Sequence, residues 1–120
     1  MTSITTKAKI FASVLPLIAS TAPSLADTVG VASYYGKELS GRRTANGERF
    51  NPYGLTAAHR TYPFGTKLRV TNLRNGRVVV VRVSDRGPFV RGRILDLSLG
   101  AAHAIGLVSS GTAKIRIAKL

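Results

Sequence analysis

Asp85 and Asp96 lie eleven positions apart in VSDRGPFVRGRILDLS, two of only five acidic residues in a chain with eighteen Lys and Arg. A pair of carboxylates in such surroundings suits general acid–base work. One can give a proton to a leaving oxygen and later take one back, provided its environment sets its pKa. Burial would raise that pKa and nearby arginines would lower it, so the sign of the net shift stays open at this level. Two further candidates are Glu48 in TANGERF and His59 at the end of LTAAH. Each of the four also has an ordinary role available. Asp85, before Arg86-Gly87-Pro88, fits an Asx-turn, and Asp96 fits a partner for the amides of a helix that follows it. Glu48 alone reads as an exposed loop acid and His59 as a satisfied strand-end histidine. His103 is expected to face solvent.

Other chemistries find little support. There are no cysteines, and the two histidines lack ligand spacing, so neither a metal nor another cofactor is expected. No serine sits in a nucleophile elbow, which argues against acyl transfer. A net charge of +13 implies anionic partners. No recognised nucleic-acid motif accompanies that charge, so nucleic acid is not expected as the partner. Tyr34, Tyr35, Phe50, Tyr53, Tyr62, Phe64 and Phe89 include several aromatics in loops, where those on a groove would stack on sugar rings.

The elements that must position these residues are short. Residues 1–26 have a charged start with Lys7 and Lys9, an apolar run from Ile10 to Ala19 and a small-residue site at Ser24-Leu25-Ala26, the anatomy of a secretory leader. The apolar run is shorter than the roughly 20 residues a spanning helix needs. Cleavage after Ala26 leaves 94 residues of the 120, enough for one domain with no stable membrane anchor, expected as a monomer. Loss of the two lysines leaves a charge of +11. With an export signal, the anionic partner is expected to be a wall polymer or an anionic surface. Without cysteine the chain carries neither disulfides nor a lipidated N-terminal cysteine.

Strand-like runs separated by Gly and Pro dominate from residue 27 on, and predict an all-β domain. TVGVASYYG (28–36) reads as the first strand, LTAAH (55–59) as a short one, and residues 37–54 as a long polar loop of the kind that tends to be functional. Leu68 and Val70 alternate with Lys67, Arg69 and Thr71, and a valine run follows Asn75-Gly76, which predicts a hairpin with positive φ at both turn residues. RILDL (93–97) and TAKIRIAKL (112–120) supply the last strands, with a brief helix through LGAAHAIG capped by Ser98 and ended by Gly106. About six strands and one helix suggest a small closed barrel, since closure removes exposed edges. Alternation puts Val79, Val81, Val83 and Asp85 on one face and Arg82, Ser84 and Arg86 on the other.

Taken together, GVASYYG, TANGERF, LTAAH, FGTKLRVTNLRNGR, VVVVRVSDRGPF and RILDLSLGAAHAIG resemble the rare lipoprotein A family of septal lytic transglycosylase-like proteins, from about Val29 to Leu120. The resemblance implies a small six-stranded double-psi β-barrel with one short helix, related to expansins. It also implies a secreted or periplasmic, wall-associated enzyme acting on peptidoglycan glycan strands without a cofactor. Asp96 and Asp85 then become the acid/base candidates, and Glu48 and His59 match the family's T-A-x-G-E and T-A-A-H motifs and complete the catalytic set. The activity implied is cleavage of the β-1,4 bond between N-acetylmuramic acid and N-acetylglucosamine with a 1,6-anhydro product. A non-hydrolytic, expansin-like wall-binding module is the alternative. Three positions depart from the family pattern: Asn51 stands where aspartate is common, Ser84 where asparagine is common, and Tyr34 where tryptophan is common.

Overall fold

The computed structural model describes residues 27–120; the expected leader, residues 1–26, lies outside the described residues. Six strands form a closed barrel: β1 (Thr28–Tyr34), β2 (Thr56–Ala58), β3 (Lys67–Asn72), β4 (Val78–Asp85), β5 (Arg93–Leu97) and β6 (Ala113–Lys119). Their order around the barrel is β1-β5-β2-β4-β3-β6. β1 with β5 and β2 with β4 are parallel pairs, and the other neighbours are antiparallel. This is the all-β, double-psi type of architecture expected, with one short α-helix among the described residues, α1 (Leu99–Ala104).

The period-2 patterns place Leu68, Val70, Val79, Val81, Val83, Leu95, Leu97, Ile115 and Ile117 inside, where all are at most 7% exposed. α1 closes the barrel with Ala101, Ala102 and Ile105, joined by Leu107. Ser98 caps it as expected, its Oγ accepting from the Ala101 amide at 3.3 Å, and His103 faces solvent.

The hairpin between β3 and β4 forms, but not with the expected turn. Gly76 has φ of 76°, whereas no non-glycine among the described residues has positive φ, Asn75 included. The Asn72 carbonyl accepts from both the Asn75 and Gly76 amides, giving a loop wider than a two-residue turn. The cause is in the side chains. Asn72 Nδ2 and Asn75 Nδ2 both donate to the Ile105 carbonyl, at 2.8 and 3.0 Å, so the turn is shaped to dock on the end of α1.

The end of β4 departs from simple alternation where it meets β2. Along the parallel β2–β4 pair Thr56 meets Arg82, Ala57 meets Val83, and Ala58 meets Asp85. Ser84 is an extra residue, a bulge, and residues that pair across strands share a face. Because Ala57 and Ala58 are consecutive, Val83 and Asp85 lie on opposite faces. Asp85 therefore leaves the apolar face that simple alternation assigned to it, and Ser84 is buried instead of exposed, at 2%. The β1–β5 pair has a matching irregularity, with Val31 opposite Arg93 and Ala32 opposite Leu95.

Candidate functional site

Strand register brings the two aspartates together. Asp96 pairs with Ala58 on one side, Asp85 with Ala58 on the other, and Ser33 with Asp96, so one row across β1, β5, β2 and β4 reads Ser33, Asp96, Ala58, Asp85. The small Ala58 between them is fully buried. Leu95 and Leu97 on either side of Asp96 enter the core, which turns its carboxylate outward into this row.

Each carboxylate is held by different partners. Asp96 Oδ1 accepts from the Ser33 hydroxyl, whose Oγ in turn accepts from Arg93 Nη1 at 3.4 Å. Asp85 Oδ1 accepts from the backbone amides of Arg86 and Ala45, both at 2.9 Å. The Ala45 bond crosses from the long loop to the strand end, and the Asn46 amide adds a bond to the Ser84 carbonyl. No donor among the described residues reaches Asp85 Oδ2.

The loop between β1 and β2 carries a single 3-10 turn (Lys37–Leu39) and folds across this row. Its start is fixed where the Tyr35 amide donates to the Leu97 carbonyl at 2.8 Å. Its end is fixed where Ser98 Oγ donates to the Gly54 carbonyl and the Gly100 amide to the Pro52 carbonyl, at 2.6 and 2.8 Å. Between them, Tyr35, Leu39, Arg42, Arg43, Thr44, Phe50 and Asp85 line a cavity of about 230 Å³. Tyr35 meets Phe50 edge to face at 5.6 Å. Burial, then Asp96 and then Asp85, push the Tyr35 phenol well above its ordinary pKa of 10, so it stays a hydroxyl donor. In the sequence alone Tyr35 is only an aromatic available for stacking. Its place beside both acids follows from β1 ending next to β5, a pairing that nothing local in the sequence announces.

Glu48 and His59 sit apart from the aspartate row in different ways. Glu48 makes a two-pronged pair with Arg82, at 3.0 and 3.3 Å, and lines a neighbouring cavity of about 290 Å³ with Arg49, Phe50, Asn51, Gly54, Leu55, Thr56 and Arg82. Phe50 is a wall of both cavities. His59 follows Ala58, and its amide donates to the Asp85 carbonyl at 3.1 Å, but its ring is engaged locally. Nδ1 accepts from the Thr61 and Tyr62 amides, and the ring stacks on Tyr62 at 4.0 Å. Burial, then Arg86 and Arg60, hold its pKa below 6.5, so the neutral ring is favoured. With Nδ1 accepting, the proton resides on Nε2. Arg86 is itself fixed by the His59 and Tyr62 carbonyls and lies 4.0 Å over the Phe64 ring.

Among the described residues no group of three His, Cys, Asp or Glu side chains is placed to hold a metal ion. No helix among them is long and apolar enough to cross a membrane. The arrangement can therefore present two carboxylates, a phenol and several guanidinium groups to a ligand lying in an open groove.

Comparison with known proteins agrees with this fold. The family model described as lytic transglycolase matches residues 27–117. The chain is 65% identical over 88 residues to the probable endolytic peptidoglycan transglycosylase RlpA of Synechocystis, covering 73% of this chain and 27% of that protein. It is 57% identical over 88 residues to the endolytic peptidoglycan transglycosylase RlpA of Campylobacter jejuni, covering 73% of this chain and 32% of that one. The chain thus spans about a quarter to a third of the length of these relatives. Among solved structures, the Streptomyces papain inhibitor superposes with a TM-score of 0.64 at 23% identity, covering 82% of this chain and 97% of that one, a likeness of fold. The apo expansin of Clavibacter michiganensis superposes with a TM-score of 0.62 at 25% identity, covering 78% of this chain and 50% of that one.

Proposed function

Because the chain belongs to the lytic transglycolase family, we propose that it is an exported, wall-associated peptidoglycan lytic transglycosylase. It cleaves the β-1,4 bond between N-acetylmuramic acid and N-acetylglucosamine and leaves a 1,6-anhydro end. The observation that carries this reading is the row Ser33, Asp96, Ala58, Asp85, which sets two carboxylates on either side of one buried alanine at the edge of a groove.

The chemistry needs one group that moves a proton. As the glycosidic bond breaks, the acid protonates the leaving oxygen. The muramic acid C6 hydroxyl then closes on C1, and the resulting carboxylate removes its proton, which restores the acid. The attack is intramolecular, so proximity replaces the second carboxylate that a retaining hydrolase uses as nucleophile. Asp85 takes the acid/base role, because it lines the cavity and its Oδ2 is free of donors among the described residues. Asp96, tied to Ser33, positions the reacting sugar, Glu48 lines the neighbouring cavity, and His59 supports the strand end that carries Asp85.

The test is incubation of the exported protein with peptidoglycan, followed by mass spectrometry for 1,6-anhydromuropeptides. The wild type releases them, Asp85→Asn releases none, and Asp96→Asn releases them slowly. Absence of anhydro products from the wild type, or equal product from both variants, overturns the reading. The alternative is a non-hydrolytic wall-binding module, favoured by the likeness to an expansin and by the neutral Asn51 in the second cavity. Sedimentation with insoluble wall without soluble fragments would establish it.

A further inference from the structure

The loop that covers the aspartate row sets two like charges directly opposite each other. Arg43 and Arg49 face each other in an isolated antiparallel bridge. The Thr44 amide donates to Glu48 and the Phe50 amide to Arg42, at 2.8 and 2.7 Å, so the flanking residues carry the backbone bonds. Arg43 and Arg49 are therefore a non-hydrogen-bonded pair, the closer of the two kinds, in which side chains approach most. Like charges placed directly opposite are destabilising. Nothing offsets them locally: the one ion pair among the described residues joins Glu48 to Arg82. Each guanidinium is instead pinned by one backbone carbonyl, Arg43 Nη1 on Gly47 at 2.7 Å and Arg49 Nη1 on Gly41 at 2.9 Å, which leaves its other donors free. Both side chains are exposed, as is Arg42. Arg42 and Arg43 line the cavity of Asp85, Arg49 lines that of Glu48, and Phe50 is shared. The arginines thus stand along the ridge between the two halves of one groove.

We propose that Arg43 and Arg49, supported by Arg42, form a carboxylate-reading subsite that recognises the acidic substituent of a muramoyl residue as the glycan crosses this ridge. The proposal rests on the peptidoglycan reading above and deepens it by naming the group that selects the substrate. A planar guanidinium with two free donors matches a carboxylate in two-pronged geometry, and the pair sets one such group on each cavity beside the ridge. The carboxylate has two sources, the lactyl group of a muramic acid without stem peptide and the acidic groups of the stem peptide itself.

The experiment measures sedimentation of the exported protein with insoluble sacculi that carry no accessory anionic polymer, in an Asp85→Asn background so that the wall is not consumed. Four substrates are used: sacculi as isolated, sacculi stripped of stem peptides by an amidase, and each of these after carbodiimide-driven amidation of carboxylates with methylamine. Amidation is expected to weaken binding by about tenfold or more. Arg43→Gln with Arg49→Gln weakens binding by a similar factor on whichever wall, untreated or stripped, loses binding on amidation, and adds little on the amidated form of that wall. Arg43→Lys with Arg49→Lys recovers part of the loss. Arg69→Gln with Arg74→Gln removes the same charge elsewhere on the barrel and has a smaller effect. Binding that strengthens on stripping and is lost when the stripped wall is amidated assigns the lactyl carboxylate, and binding lost on stripping assigns the stem peptide. Unchanged binding after amidation of both walls overturns the proposal before the arginine variants are needed, and so does an equal loss in the remote pair. Anhydro-product release by the wild type is scored separately, so failure of the catalytic reading is distinguished from failure of this one.

Discussion

At the scale of single residues, Tyr35 and His59 are the groups whose ionisation the fold controls most. The Tyr35 phenol is kept protonated by burial and by the two aspartates, and it opens onto the cavity that Asp85 lines. Tyr35→Phe keeps the edge contact with Phe50 and removes only the donor. Its expected effect is a fall in anhydro-product release on the order of 10²-fold, with thermal stability nearly unchanged. A stability loss as large as the activity loss would make Tyr35 a packing residue instead. His59 gives a prediction of stability against pH. Its folded pKa lies below the ordinary 6.5, because burial, Arg86 and Arg60 all disfavour the charged ring. The stability contributed by the neutral ring is complete above 6.5 and is lost as pH falls from 6.5 through the lower folded value. Melting temperature measured from pH 7 to pH 5 should drop in the wild type and drop less in His59→Gln, which has no proton to gain. Parallel curves for the two proteins would show that the ring does not contribute. Glu48 differs from both, since its carboxylate is spent on Arg82 in a half-exposed pair of the kind that contributes little to stability.

At the scale of elements, the site exists because two loop ends are fastened to rigid strands and to α1. Gly100 at the start of α1 is the tightest of these fastenings: a Cβ there would lie 2.7 Å from the Tyr53 carbonyl oxygen, a backbone atom that cannot swing away. Gly100→Ala should therefore push the end of the long loop outward, cost about 1–3 kcal/mol in urea unfolding and slow product release. Ser98→Ala, which loses the cap and the bond to Gly54, should cost about 1 kcal/mol and serves as the comparison. The strands themselves were legible in the sequence, because alternation such as Leu68, Val70 against Lys67, Arg69 reports burial directly. What alternation does not report is the count of residues across a parallel pair. Ser84 is a small polar residue within a valine run, and only its pairing opposite β2 reveals it as the bulge that sends Asp85 to the outer face. The same limit hid the Tyr35 contact and the second duty of Asn75. Both depend on what lies beside the segment, in one case β5 and in the other the Ile105 carbonyl. The motifs brought forward all four acid and histidine candidates, but spacing alone did not separate the Asp85–Asp96 row from the side-facing Glu48 and the locally engaged His59.

At the scale of the whole molecule, the excess positive charge acts on fold and function with opposite signs. A net charge of +13 on 120 residues repels itself and opposes compaction, and no disulfide is available to resist it. The barrel tolerates this because its stability resides in a continuous apolar interior closed by α1, with its charges on the outside. Toward the anionic wall proposed as its partner, the same charge would raise the local concentration of protein at the surface and speed encounter. Salt should therefore separate the two effects. At 0.5 M NaCl the screening length falls to a few ångströms, below the spacing of most of these surface charges. Self-repulsion is then relieved, and the loss of the exposed Glu48–Arg82 ion pair costs at most about 1 kcal/mol. The melting temperature should hold steady or rise between 0.05 and 0.5 M NaCl while the fraction sedimenting with insoluble wall falls several-fold. Were both to fall together, salt would be loosening the fold and the charge would have a structural part to play. If wall binding stayed constant, attraction between the basic surface and the wall would not be what holds the protein there, and the groove contacts alone would have to account for it.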